Sequence, residues 1–267
     1  MDENKSSVFS NLSPGQIFTV GLVGGVMTLC TLGFLVMLPM VLGGGFGSGN
    51  SRGTTVNTVD PGSVGKTASG PKIADIAKGL GLDYDKFKSC TESQKFASKV
   101  QADEAEAQAA GGQGTPYLIV VGPKGETVPI KGAYPAAVIE GVIKRMLGQT
   151  VANAADLPPE EKVTVRAVDA SKEAVRGNAK AKISLIEYSD FECPFCKQFH
   201  NTMQQVMAAH EKDVKWVYRQ FPLDSLHQKA RPEALMSECA GEQGKFWEFT
   251  DSVFKVTPSN DGMDITL

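Results

Sequence analysis

The sequence predicts an α/β domain with a cysteine pair placed between a strand and a helix. The strand runs from Ile183 to Tyr188 and is almost wholly apolar, and a short connection follows it. The next segment carries apolar residues at helical spacing, namely Cys196, Phe199, Met203, Val206 and Met207. Cys193 and Cys196 therefore lie where the strand ends and an amphipathic helix begins.

The position of Cys193 favours reactivity. At the start of a helix, unsatisfied backbone N–H groups and the positive end of the helix dipole stabilise a thiolate over a thiol. Pro194 falls on the first helical position, where its missing N–H costs nothing and its fixed φ suits the helix. We interpret Cys193 as the nucleophile and Cys196, one turn further and more buried, as the thiol that resolves a mixed disulfide.

Other chemistries for the cysteine pair are disfavoured. Zinc takes four ligands, and the sequence has neither a second CxxC nor a histidine pair at ligand spacing. His200, one turn beyond Cys196, keeps an adventitious metal site open as an alternative. An inert structural disulfide is disfavoured because this spacing at a helix start favours exchange. We expect neither a cofactor nor a metal.

The N-terminal part predicts a membrane anchor. Residues 17–42 are almost wholly apolar and would span about 39 Å as a helix, which is long enough to cross a bilayer with tilt. A cleaved signal peptide would have a basic beginning and a shorter apolar core, whereas Lys5 is the only early lysine. We predict a short tail over residues 1–16 and a retained transmembrane helix over 17–42.

Redox chemistry indicates the side of the membrane better than charge does. The loops flanking the apolar segment carry too few basic residues to set an orientation. A dithiol that makes disulfides belongs outside the cytosol, so we expect a single-pass protein of the cell membrane with its domain in the periplasm or its equivalent. Of the five cysteines, Cys30 is interpreted as a packing residue of the anchor. The other four form an even number, so Cys90 and Cys239 could form a second, structural bridge.

Composition divides the remaining chain. A net charge of −3 without a basic block argues against nucleic-acid binding. Residues 43–70, rich in Gly, Ser, Thr and Val, predict a flexible linker, and residues 148–162 predict a second one. Between and after these linkers lie segments 71–147 and 163–267, neither of which is long enough for a comfortable α/β domain of its own.

The two segments carry complementary elements. In 71–147 the pattern predicts a helix around Ile73–Leu80, a longer helix from Phe87 to Val100, a strand over 115–121, a hairpin partner over 127–130 and a helix from Pro135 to Met146. In 163–267 it predicts a strand over 163–168, the cysteine-bearing strand and helix, a strand over 214–221 and helices around 230–239 and 246–254. Trp216, Phe246 and Trp247 are expected in the core.

Three stretches resemble the DsbA-like thiol:disulfide oxidoreductases of the thioredoxin superfamily. They are Glu187 to Cys196, with the Cys-Pro-Phe-Cys motif, Tyr218 to Leu223, and Gly114 to Tyr117. The resemblance covers nearly all of 71–147 and 163–267. It implies a thioredoxin-like fold with a helical insertion, in which the cysteine half comes first. In this chain the order is reversed.

The reversed order indicates a circular permutant opened inside the helical insertion, with residues 148–162 joining the old ends. Permutation is tolerated where the old termini lie close together and the new break falls in an exposed loop. Two broken domains in tandem, or exchange of halves between two copies, are the alternatives. In every case 71–147 would supply the C-terminal half of the domain and 163–267 the N-terminal half.

The resemblance also implies roles for individual residues. Pro116, after Thr115, is similar to the cis-proline that faces the cysteine pair and leaves backbone free for an extended substrate; an ordinary trans proline is the alternative. Glu187 is similar to the buried acid that relays a proton to or from Cys196, and an exposed edge position is the alternative. The Cys90–Cys239 bridge would join helices of the insertion. His227 is expected to be structural.

These features predict a protein-disulfide oxidase that introduces disulfides into exported proteins. Its partners would be unfolded or reduced exported proteins and a membrane redox partner that resets the dithiol. Phe195, between the cysteines, donates no hydrogen bond to a thiolate, and Thr115 also leaves the direction open. A disulfide isomerase or reductase is the alternative within the fold, and a redox-silent substrate holder or a copper-binding thiol module is the alternative outside it.

Overall fold

The structure is a computed structural model and describes residues 71–267. The predicted tail over 1–16, the transmembrane helix over 17–42 with Cys30, and the linker over 43–70 lie outside these residues. Across the described range, every helix is too short or too polar to traverse a bilayer.

A five-stranded sheet organises the domain. In chain order the strands are β1 (Tyr117–Val121), β2 (Thr127–Lys131), β3 (Val175–Gly177), β4 (Ile183–Ser189) and β5 (Val214–Gln220). Their spatial order is β2-β1-β4-β5-β3. The central strand β4 pairs in parallel with β5 and antiparallel with β1. One sheet thus contains strands from both 71–147 and 163–267.

Seven helices of the described residues surround this sheet. They are α1 (Ile73–Gly79), α2 (Tyr84–Glu92), α3 (Ala97–Ala109), α4 (Ala136–Met146), α5 (Pro194–His210), α6 (Ala230–Glu242) and α7 (Phe246–Val256). A short 3₁₀ turn at Ala154–Asp156 is the regular structure within the predicted second linker. Six of the seven helices correspond to segments where apolar periodicity predicted helix, whereas most of α3 lies beyond Val100, where the predicted helix ended.

The core has a layer on each face of the sheet. On one face, Leu118 and Leu185 pack with residues of α4 and α5, including Val142 and Phe199. On the opposite face, the alternate strand residues pack against α3 and the segment that precedes β3; they include Tyr117, Ile119, Ile186 and Tyr188. A further cluster joins α1, α2, α6 and α7 to the start of α5. The cysteine pair lies at the edge of this helical cluster.

Two predicted elements are wrong in detail. Residues 163–168 form no strand, because Val163 N–H donates to the Thr127 side chain and Arg166 N–H donates to Glu106. The valines of this stretch pack across a sheet face, and β3 forms instead at 175–177. The long helix from Phe87 to Val100 is two helices, since the chain turns at Gln94, whose φ is 51°.

Polar and covalent links hold the two segments together. Arg219 of β5 is fully buried, and its guanidinium donates to Glu106 of α3 at 2.8 Å and to Glu173 at 2.7 Å. Cys90 of α2 and Cys239 of α6 form a disulfide with an S–S distance of 2.00 Å. The backbone of Ile73 donates to Asp264, and that of Asp264 donates to Pro71, both at 3.0 Å.

Candidate active site

The cysteine pair lies at the N-terminus of α5. Cys193 is the N-cap residue, and Pro194 occupies the first turn, as the sequence predicts. The Cys193 side chain is 4% exposed, whereas Cys196 is fully buried against the sheet. Both thiols are free in the structure. A nearly buried sulfur therefore stands at the helix N-terminus, with a fully buried one behind it.

Thr115 and Pro116 face this pair from the start of β1. The peptide bond between them is cis. The Cys193 Sγ lies 3.4 Å from the Thr115 carbonyl oxygen, although the two residues are far apart in sequence. A cavity of about 210 Å³ lies beside Thr115 and Pro116, bounded by Lys131 and Gly132 of the neighbouring hairpin. The proline-led strand and the nucleophile therefore share one surface.

The environment separates the two thiols electrostatically. A hydrogen bond from Cys196 lowers the pKa of Cys193, and the backbone N–H groups of Phe195 and Cys196 act in the same direction against the effect of burial. Burial raises the pKa of Cys196, and the negative charge on Cys193 raises it further. Cys193 is thus the thiolate of the pair and Cys196 the thiol.

Glu187 lies beneath the pair in the central strand. It is fully buried, so an exposed edge position is wrong, and its side chain is on the same face as Ile183 and Leu185. Trp216 Nε1 donates to Glu187 Oε2 at 2.9 Å. Burial raises the pKa of Glu187 to about 7, although the nearby Ser189 hydroxyl and the hydrogen bond from Trp216 oppose the rise. This carboxyl can hold or release a proton near neutral pH.

Two family models match the chain on either side of the second predicted linker. One, described as a DSBA-like thioredoxin domain, matches residues 63–144, and the other, described as Thioredoxin, matches residues 169–261. The described residues have a mixed α/β, thioredoxin-like fold with a five-stranded sheet. The cysteine pair and the cis-proline of this domain come from the two different matches.

Curated relatives match only a part of the chain. Two proteins named Na(+)/H(+) antiporter NhaA 1, from Mycolicibacterium gilvum and Mycolicibacterium vanbaalenii, are each 41% identical over 101 residues. The match covers 37% of this chain and 16% of each relative. The chain thus spans about a sixth of the length of these relatives. The name antiporter describes the relatives and is not assigned to this chain.

A solved structure of Pseudomonas aeruginosa DsbA2 is also similar in part. It is 35% identical and covers 34% of this chain and 51% of that chain, with a TM-score of 0.32. At that score the overlap carries no argument about the overall fold.

The thioredoxin-like domain contains site residues that sequence reasoning missed. Asp190, buried three residues before Cys193, accepts hydrogen bonds from the backbone of Leu223 at 2.8 Å and from His227 Nδ1 at 2.9 Å. Glu192 accepts from the backbone N–H groups of Lys229 and Ala230 at the start of α6. The two acidic residues that flank Phe191 were the sequence feature that could have predicted this role, because carboxylates are common acceptors for loop and helix N–H groups.

Exposed apolar side chains lie on the segments next to Cys193. Phe195 is 61% exposed and Leu226 is 69% exposed. Leu226 precedes His227, which is bonded to the loop that carries the cysteine pair. Tyr134, 40% exposed, follows Gly132, whose N–H donates to the Pro116 carbonyl at 2.9 Å. Phe195 therefore contributes exposed apolar surface at the site where it cannot contribute a hydrogen bond.

Proposed function

We propose that this chain is a thiol:disulfide oxidoreductase that acts as a disulfide donor to exported proteins. The observation that carries the proposal is the asymmetry of the cysteine pair. Cys193 is a stabilised thiolate at the N-terminus of α5, and Cys196 is a buried thiol with a raised pKa. A stable thiolate favours the reduced form of the enzyme, which makes the oxidised form a strong oxidant.

In the proposed reaction, a client thiolate attacks the Cys193 sulfur of the oxidised pair. The Cys193–Cys196 bond breaks, a disulfide between the client and Cys193 forms, and Cys196 leaves with the electron pair. A second client thiolate then attacks the client sulfur of this mixed disulfide, and Cys193 leaves as a thiolate. The client is oxidised by two electrons and the enzyme pair is reduced by two.

The surface beside the pair suits an extended client. The cavity along Thr115 and Pro116 offers backbone groups next to the nucleophile. The exposed side chains of Phe195, Leu226 and Tyr134 offer apolar surface on segments linked to the site. Unfolded or reduced proteins, which expose both backbone and apolar residues, are the proposed clients.

We also propose that 71–147 and 163–267 are the halves of one circularly permuted domain. The pairing of β1 with β4 supports this proposal, because the proline-led strand and the cysteine-bearing strand are neighbours in one sheet. The links through Arg219 and through Cys90–Cys239 join the same halves. Anchoring by residues 17–42, an extracytoplasmic location and a membrane partner that reoxidises the pair remain proposals from the sequence.

The test is the reduction potential of the Cys193–Cys196 pair in the whole chain, equilibrated against glutathione. A potential of roughly −120 to −180 mV supports the oxidase, whereas one near roughly −270 mV identifies a reductase that needs an electron supply. Cys193→Ser provides the control. An enzyme loses turnover and mixed-disulfide formation in that variant, while a substrate holder keeps its binding.

A further inference from the structure

A group of polar side chains lies on the sheet face that supports Cys196. Glu187 of β4 pairs with Tyr218 of β5, and Ser189 follows on the same face of β4, two residues beyond Glu187. Ser189 is 1% exposed and Tyr218 is 2% exposed. We name Glu187, Ser189, Tyr218 and Cys196 the Cys196 cluster. The Cys196 cluster is the buried environment into which the leaving sulfur would carry its negative charge.

The oxygens of this cluster are not committed to other bonds. Among the described residues, Ser189 Oγ, Glu187 Oε1 and Tyr218 Oη have no hydrogen-bond partner, although each is buried. Buried hydroxyl and carboxyl oxygens nearly always have partners. Since these three share one sheet face with Cys196, they can exchange protons with one another without breaking a structural hydrogen bond.

Ser189 affects both groups that would exchange the proton, the Glu187 carboxyl and the Cys196 thiol. Burial raises the pKa of Glu187 and that of Cys196, and the Ser189 hydroxyl opposes the rise in both groups. A hydroxyl has one proton to donate and lone pairs to accept another. It can therefore take a proton from one neighbour while giving its own to the other.

We propose that Ser189 is a proton-relay residue between the Glu187 carboxyl and the Cys196 sulfur. The proposal rests on the proposed function, because the relay acts when Cys196 is expelled. As the Cys193–Cys196 bond breaks, the Cys196 sulfur receives the electron pair. The Ser189 hydroxyl proton passes to that sulfur, and the Glu187 carboxyl proton replaces it on Ser189. Reoxidation of the pair runs the same transfers in reverse.

The other ionisable groups near the cluster do not supply this proton. Burial raises the pKa of Tyr218 well above neutral, so its proton stays in place. Asp190 accepts hydrogen bonds from Leu223 and His227 instead. The lowered pKa of Cys193 favours its deprotonated form. On β4, β5 and the start of α5, Glu187 is thus the group whose proton is exchangeable near pH 7.

The test follows reduction of the oxidised whole chain by reduced glutathione, with tryptophan fluorescence recorded by stopped flow at neutral pH. Ser189→Ala is expected to slow the step that expels Cys196 by about a hundredfold, the lower end of the range for acid–base catalysis. Ser189→Thr, which keeps the hydroxyl, is expected to restore the rate. Ser184→Ala, in the same strand but on the opposite face, is the matched control and should react like the wild type.

Coupling to Glu187 distinguishes a relay from a packing role. If the proton passes through both residues, adding Ser189→Ala to Glu187→Gln slows the step little further. If the two residues act independently, their effects on the rate multiply. The wild type should also show a solvent isotope effect on this step that Ser189→Ala loses. This wild-type measurement decides the matter even if Ser189→Ala does not fold.

The results that would overturn the relay differ from those that would overturn the proposed function. A wild type that exchanges disulfides while Ser189→Ala matches Ser184→Ala, or a wild-type step without a solvent isotope effect, overturns the relay alone. Multiplicative effects of Ser189→Ala and Glu187→Gln also overturn it. A wild type that exchanges no disulfides overturns the proposed function and the relay with it.

Discussion

Trp216 donates its indole N–H to Glu187 Oε2 at 2.9 Å inside the core, between neighbouring strands of the sheet. The other carboxyl oxygen of Glu187 forms no hydrogen bond within residues 71–267. A single neutral donor stabilises a carboxylate less than a cation would, so burial dominates and the pKa of Glu187 rises to about 7. The acid beneath the cysteine pair is therefore tuned for proton exchange at the expense of stability.

Replacement of Glu187 by Gln is expected to stabilise the domain at alkaline pH. Because the folded pKa is above the unfolded value, stability is full below about pH 4.5 and is lost as the pH rises through about 7. At about pH 8 the variant should gain about 3 kcal/mol in the free energy of unfolding, and at about pH 4 it should gain nothing. Urea unfolding at both pH values measures this.

The exposed Glu160 supplies the control for that comparison. Glu160→Gln should leave the free energy of unfolding unchanged at both pH values. An equal effect of Glu187→Gln at acid and alkaline pH would show that the carboxyl does not titrate as proposed.

Loss of the Cys90–Cys239 disulfide is expected to destabilise the domain. The bond joins α2 to α6 across a sequence separation of 149 residues. Substitution of both cysteines by Ala should lower the free energy of unfolding by about 2–5 kcal/mol, because a cross-link over a long loop restricts the unfolded chain. Unfolding by denaturant measures the loss. Mass mapping without reductant that found both thiols free would contradict the bond itself.

Arg219→Met is expected to weaken the association of the two halves. The fully buried guanidinium pairs with Glu106 and Glu173, so its removal takes the buried cation away from two nearly buried carboxylates, and Glu106 keeps the more exposed Arg166 as a charged partner. Breaking a buried pair from one side costs about 3–5 kcal/mol. Arg231→Met is the matched control, since Arg231 is more exposed and should cost about 1 kcal/mol or less. Equal losses in the two variants would refute the structural role of Arg219.

His227 is expected to report the redox state of the cysteine pair. Burial lowers the pKa of His227, but the hydrogen bond and charge of Asp190 and the negative charge of Cys193 together raise it above its ordinary value. Oxidation removes the Cys193 charge, so the pKa of His227 should fall in the disulfide form. Titration of the imidazole protons by NMR in both redox states measures the difference, with His210 at the far end of α5 as the reference.

The Asp190–His227 pair makes the stability of the folded domain depend on pH. Since the pKa of His227 is raised on folding, its contribution is complete below the unfolded value of about 6.5 and is lost as the pH rises through the folded value. His227→Gln should flatten the stability profile of the reduced protein over that interval. An identical His227 titration in the two redox states would contradict its electrostatic link to Cys193.

Local patterns predicted most elements of the domain. The apolar run before Ser189 predicted β4, and the helical spacing after Cys193 predicted α5. Strands and helices have different spacings of apolar residues, which a short segment is enough to distinguish. The predictions failed where side chains intervened. The apolar residues of 163–168 have the pattern of a strand, but side chains of the distant residues Thr127 and Glu106 accept the backbone N–H groups of Val163 and Arg166. A strand requires a neighbouring strand, which a local pattern does not reveal.

The candidate site shows the same division. The sequence alone identified the site residues and their chemistry, because the spacing of the two thiols and the place of Pro194 at the helix start are local features of the chain. Only the tertiary structure decided that Thr115 lies 3.4 Å from Cys193 and that Trp216 and Ser189 share a buried face with Glu187. The pKa of a buried group depends on the solvent removed by packing and on charges brought from distant segments. Neither quantity is encoded by spacing along the chain, so the fold sets the proton chemistry of residues that the sequence identifies.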